Sequence, residues 1–157
     1  MKRTGEAGAL LRVLALCWGL QLLPALAIDN PDQPDPVAAF AGRAESYETQ
    51  IGAASTDRAA LAAHAQYEQF LDRELNQAYS ALLRRTRDSR RQDLVRSQKS
   101  WLVFRDAEMR FIANNWSMQD FGSSSALSRA GYRAALLRER VTTLYGYLRS
   151  YPSAGAP

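Results

Sequence analysis

From Asp57 to about Arg87 neither proline nor glycine interrupts the chain, and His64, Tyr67, Leu71, Leu75, Ala78 and Leu82 return at steps of three and four residues. That period places them on one face of an α-helix about 45 Å long at 1.5 Å per residue. A helix with a single apolar stripe must bury it against another element. Two further stretches supply that partner. One runs from about Arg91 to Asn115, with Leu94, Gln98, Trp101, Arg105, Met109 and Ile112 along one stripe; the other runs from about Ser125 to Tyr151, with Leu127, Ala134, Leu137, Val141, Leu144 and Leu148 in register. Gly131 weakens the latter by about 1 kcal/mol relative to alanine, and Pro152 stops it. The Ala-rich segment from Val37 to about Ile51 adds a shorter helix, and Ser55 or Thr56 offers an N-cap ahead of Asp57. The polar run from Arg84 to Arg91 contains one turn, and Gly122-Ser123-Ser124-Ser125 reads as a loop ahead of the last helix. Long helices joined by short polar turns pack as antiparallel neighbours. The expectation is therefore an all-α fold, a small antiparallel bundle of three to four helices over residues 37–151, with no strand-period run or internal repeat to compete.

The N-terminus follows a different grammar. Lys2 and Arg3 precede an apolar stretch from Val13 to Leu23, followed by Pro24 and the small-residue site Ala25-Leu26-Ala27. That order of charged, apolar and A-x-A segments is what a signal peptidase reads, so residues 1–27 are expected to be a cleavable signal peptide. The apolar run is shorter than the roughly 20 residues that span a bilayer. Cys17 does not suit lipid attachment, because Leu16 is bulky and almost no apolar region precedes the cysteine. Residues 28–36, with Pro31, Pro34 and Pro36 set among Asp29, Asp32 and Asp35, read as a disordered linker. Residues 152–157 read as a flexible tail.

Cleavage changes the totals. The chain carries 20 basic and 16 acidic residues; Lys2, Arg3, Arg12 and Glu6 lie within residues 1–27, so 17 and 15 remain and the net charge falls from +4 to +2. So nearly balanced a charge does not point to nucleic acid, and membrane contact is expected only in passage during export. The one cysteine, Cys17, leaves with the signal. The exported chain can then form no disulfide, thiolate nucleophile or cysteine metal site. Its 130 residues suit one domain, placed in the periplasm or secreted from a bacterial cell envelope.

Few residues offer chemistry. His64, the only histidine, lies on an apolar stripe with neither a nucleophile to activate nor an acid to orient it, and reads as a packed or rim histidine. No H-E-x-x-H, phosphate loop or nucleophile elbow is present. Asp72 and Glu74, two apart on a helix, point in different directions. The chain is expected to be no enzyme and to need no cofactor or metal. The arginines between Arg84 and Arg91 read as a solvated turn, with an anionic surface as the other reading. Ser123, Ser124 and Ser125 are the candidate partner-binding residues, in a loop on a rigid scaffold, although an N-cap for the last helix explains them as well. Gln98 and Arg105 stand where a simple amphipathic helix would place apolar groups, and a buried arginine must be answered. Arg105 is expected to pair with Asp72 or Asp106, and Gln98 and Asn76 to complete the network.

Two elements in this order carry a family resemblance. Asp72, Leu75, Asn76 and Tyr79 fit D-x-x-L-N-x-x-Y, and Gln98, Trp101, Phe104, Arg105, Asp106 and Ala107 fit Q-x-x-W-x-x-F-R-D-A. With Leu136, Arg140 and Leu144, the stretch from about Leu61 to Leu148 resembles the LprI-like lysozyme-inhibitor domain of secreted and periplasmic bacterial proteins. The resemblance implies a small helical exported domain that binds and inhibits lysozyme, with Asp72, Leu75, Asn76, Tyr79, Gln98, Trp101, Phe104, Arg105, Asp106 and Arg140 mainly structural. It also implies two cysteines where this chain has Met109 and Tyr132. Lacking that crosslink forgoes about 3 kcal/mol on a loop-closure view, which core packing by Met109 and Tyr132 is expected to offset. A net charge of +2 does not steer the domain toward a cationic lysozyme. The competing reading is an envelope protein-interaction module with a partner other than lysozyme.

Overall fold

The computed structural model describes residues 34–151. The expected signal peptide, Cys17, the linker up to residue 33 and the tail 152–157 lie outside the described residues. Five helices follow one another: α1 (Pro36–Gly52), α2 (Asp57–Arg85), α3 (Asp88–Asn115), α4 (Met118–Phe121) and α5 (Ser125–Arg149). The described residues contain no strand, and the fold is the all-α bundle expected, with five helices where three to four were expected and with α2 and α5 running parallel, since Glu68 meets Arg133 and Glu74 meets Tyr145.

Local chemistry sets the boundaries. Asp35 caps α1, its Oδ1 accepting from the Val37 and Ala38 amides at 2.8 and 3.3 Å, and Pro36 occupies the first helical turn, where its missing N–H costs nothing. Pro36, read as linker, is thus already helix. Thr56 caps α2 through an Oγ1 that accepts from the Ala59 amide at 3.2 Å. The arginine-rich stretch is mostly helix rather than turn. Arg84 and Arg85 end α2, Arg90 and Arg91 lie in the first turn of α3, and only Thr86 and Arg87 connect them. Asp88 accepts the left-handed backbone (φ 53°) that so tight a reversal requires. Ser117 caps the short α4: its Oγ accepts from the Asp120 amide at 3.1 Å and donates to Asp120 Oδ2 at 2.6 Å. Gly122, at φ 69°, then turns the chain into α5.

The centre of the molecule is the α2–α5 pair, with α1 laid against both and α3 leaning mainly on α5. Contacts between Arg43 and Tyr145, and between Glu48 and Arg138, show that α1 runs antiparallel to α5. Those from Gln98 to Arg140 and from Trp116 to Tyr132 show the same of α3. Phe40, Leu71, Leu82, Val141 and Leu144 are fully buried. Phe40 stacks between Phe70 and Tyr145, at centroid distances of 6.1 and 5.7 Å, and Tyr47 extends the row 4.5 Å from Phe70. The third helix differs from the rest: Ile112 is its one buried apolar residue, while Leu94, Trp101 and Met109 pack partly buried against the core. Polar groups must therefore help to hold it.

Candidate functional site

The two motifs separate into residues that hold helices together and residues that face solvent. On α3, Gln98 is buried, and its Oε1 accepts from Arg140 Nη2 and Nε of α5 at 2.9 and 3.2 Å. Among the described residues the Arg140 guanidinium has no carboxylate partner; it lies 5.5 Å from the Trp101 ring centroid, and its burial lowers its pKa. Arg105 lies 5.7 Å from the same ring and donates through Nη2 and Nε to Asp106 Oδ1 at 2.7 and 2.9 Å. Trp101 therefore meets two guanidiniums, an arrangement that favours both cations over the electron-rich indole. Of the partners expected for Arg105, Asp106 is the one that binds. Asp72 is exposed, its backbone carbonyl accepting from Asn76 Nδ2 at 2.9 Å, so Asn76 stays on its own helix and Gln98 turns to Arg140. Leu75 is buried, Tyr79 packs partly buried against the core, and Phe104 stands half-exposed.

These placements make a prediction. Asp72→Ala is expected to leave the unfolding free energy within about 0.5 kcal/mol of wild type, whereas Arg140→Met should lower it by about 1–2 kcal/mol by orphaning the buried Gln98 amide. Urea titration of the two variants checks this, and a larger loss at Asp72 would refute the assignment.

A second polar group was not foreseen. Glu74, buried on α2, accepts from Arg43 Nε and Nη2 at 2.8 and 2.7 Å and from the Tyr145 hydroxyl at 2.6 Å, tying α1 and α5 to α2. Burial opposes its charge, but the bonds from Arg43 and Tyr145 outweigh that penalty and hold its carboxyl below the ordinary range. The Tyr145 phenol is pushed up to about 12 by burial and by its bond to Glu74. The signal was available: Glu74 lies three residues after Leu71 and four before Ala78, on the apolar stripe itself.

Between α3 and α5 lies a cleft of about 250 Å³, floored by Phe111, Ile112, Trp116, Tyr132 and Leu136. Glu108 and Glu139 stand in its lining. Trp116 gathers the aromatic groups, with Tyr132 at 4.5 Å, Phe111 edge-on at 5.7 Å and Phe121 at 6.2 Å between centroids. A second cleft of about 220 Å³, which includes Trp101, Phe104 and Arg140, shares Leu136 and Glu139 with it. Tyr132 is thus not the core residue expected at that position; its ring lies tilted against Trp116 with half its surface exposed, while Met109 does pack against the core.

The three serines do not form one surface. Ser123 and Ser124 are exposed, Ser124 donating to the Phe121 carbonyl at 3.3 Å, but Ser125 is only 2 % exposed at the start of α5. His64 is partly buried; its Nδ1 has no hydrogen-bond partner among the described residues, and burial lowers its pKa. Among the described residues no group of His, Cys, Asp and Glu side chains could hold a metal ion, and no helix is long and apolar enough to cross a membrane.

What the bundle and its motif residues define is an all-α domain in which a Gln–Arg–Trp cluster fastens a weakly apolar helix to the central pair. Residues 49–144 match the family model described as Lysozyme inhibitor LprI, and both motifs fall inside that stretch. The chain belongs to the LprI lysozyme inhibitor family. No curated protein and no solved structure matches it.

Proposed function

We propose that this protein is an exported, non-enzymatic inhibitor of lysozyme, acting in the periplasm or outside the cell by covering the muramidase cleft. The family match over residues 49–144 carries the reading. The charged, apolar and A-x-A order of residues 1–27 supports export. Contact is made at the end of the bundle where α3 gives way to α4 and α5, with Ser123 and Ser124 in the exposed turn.

The test is residual lysozyme activity on a peptidoglycan suspension with the purified protein added. Wild type is expected to inhibit at micromolar concentration, and Ser123→Ala/Ser124→Ala to inhibit less. Ser125 is left intact because its burial would confound the result. No inhibition by wild type at micromolar protein overturns the reading, and full inhibition by the double variant removes the serines from the contact.

A further inference from the structure

We propose that the α3–α5 cleft is a docking site for a basic side chain, arginine above all, presented by a cationic partner protein. The inference relies on the lysozyme-inhibitor reading only for the identity of that partner. Three observations converge on it. The first is the aromatic cluster around Trp116, where Phe111, Phe121 and Tyr132 are each about half exposed, at 53, 49 and 48 %. Three large rings gathered at one surface are a characteristic of contact sites.

The second is the pair of carboxylates. Glu108 and Glu139 line the same cleft, yet among the described residues neither carboxylate makes a hydrogen bond or an ion pair. The third is the disposition of the surrounding arginines, none of which bonds Glu108 or Glu139 among the described residues. Arg105 is held by Asp106, Arg133 by Glu68 and Arg138 by Glu48, while Arg140 and Arg129 donate to neutral groups, the Gln98 amide oxygen and the Trp116 carbonyl. Arg110 lies two residues beyond Glu108 and so points to a different side of α3.

The cleft thus combines ring faces with two carboxylates that make no hydrogen bond or ion pair among the described residues, in a chain that is basic as a whole. A guanidinium satisfies both at once, stacking flat on an aromatic face while donating to carboxylates. An anionic ligand would be repelled, and a purely apolar one would bury the carboxylates without a partner.

The test measures binding of the purified protein to a chicken-type lysozyme by calorimetry and to a hexa-arginine peptide by tryptophan fluorescence. Three forms are compared: wild type, Glu108→Gln/Glu139→Gln, and Glu45→Gln/Asp57→Asn, which removes the same charge from exposed positions on α1 and α2. The expected result is equal affinity for wild type and Glu45→Gln/Asp57→Asn, with the cleft variant weaker by roughly tenfold or more toward both ligands. If all three bind lysozyme alike, the cleft is not the docking site, and the lysozyme reading stands without it. If wild type does not bind lysozyme, that reading fails and the peptide decides. Selective loss of hexa-arginine binding in the cleft variant then upholds the cleft, whereas equal binding or none by the three forms overturns it.

Discussion

Phe40→Ala is expected to lower the unfolding free energy by about 3–5 kcal/mol, the cost of truncating a buried phenylalanine in a site that cannot collapse. Phe40 is 1 % exposed and bridges α1 to both central helices through Phe70 and Tyr145. The one other fully buried residue of α1 is Ala44, which fills little volume, and Val37, Tyr47 and Ile51 are only partly buried against the core. The loss should begin as detachment of α1, visible as faster amide hydrogen exchange in residues 36–52 before the rest of the bundle opens. Chemical denaturation monitored by circular dichroism gives the magnitude. A loss below about 1 kcal/mol would mean that α1 is dispensable to the core.

The second large effect is expected at Glu74. Glu74→Gln keeps the shape but removes the charge that answers Arg43 and the Tyr145 hydroxyl, and should cost about 2–3 kcal/mol. Arg43 is half-exposed and can turn to water, which keeps the figure at the lower end of losses seen for buried pairs. The pH dependence has a definite sign. The folded pKa of Glu74 is depressed below its ordinary value of 4.5, so its contribution is complete above that value and is lost as pH falls below it through the folded pKa. Tyr145 moves oppositely, from 10.0 to about 12; its contribution is complete below pH 10 and is lost as pH rises from there through about 12. Unfolding midpoints across pH should therefore fall at both extremes in wild type. In Glu74→Gln the acid-side fall should be shallower, and an unchanged acid limb would contradict the assigned role.

The features the sequence displays best are those governed by one helix at a time. The stripes of α2 and α5 and the Asp35 and Thr56 caps follow from local spacing and short-range hydrogen bonding, and they fix the bundle. Helix α4 is too short to show a period; only Ser117 with Asp120 three residues on marks it. Pairings between helices were less legible. Periodicity tells that Gln98 and Arg105 face inward but not which long side chain of another helix will arrive, and Gln98 meets Arg140 of α5 instead of joining Asn76 in a network around Arg105. Glu74, two residues from Asp72, reads as half of an acidic pair until it is set against the apolar stripe it interrupts. The cleft was hidden for a related reason. Phe104 and Phe111 sit just off the α3 stripe, and their nearness to Tyr132 and Leu136 depends on how α3 tilts across α5, which no single helix encodes.

One surface contact sets the geometry of attachment. Arg149 Nη1 lies 3.3 Å from Asp35 Oδ2, a bond of little energy at such exposure, but it brings the start of α1 beside the end of α5. Tyr132 precedes Arg149 on α5 by some 25 Å of helix rise. The described residues therefore start and end at one pole of the bundle, and the aromatic cluster around Tyr132 lies nearer the other. A short peptide bridge between residues 34 and 151 would therefore close the described helices into a circle at the pole away from that cluster.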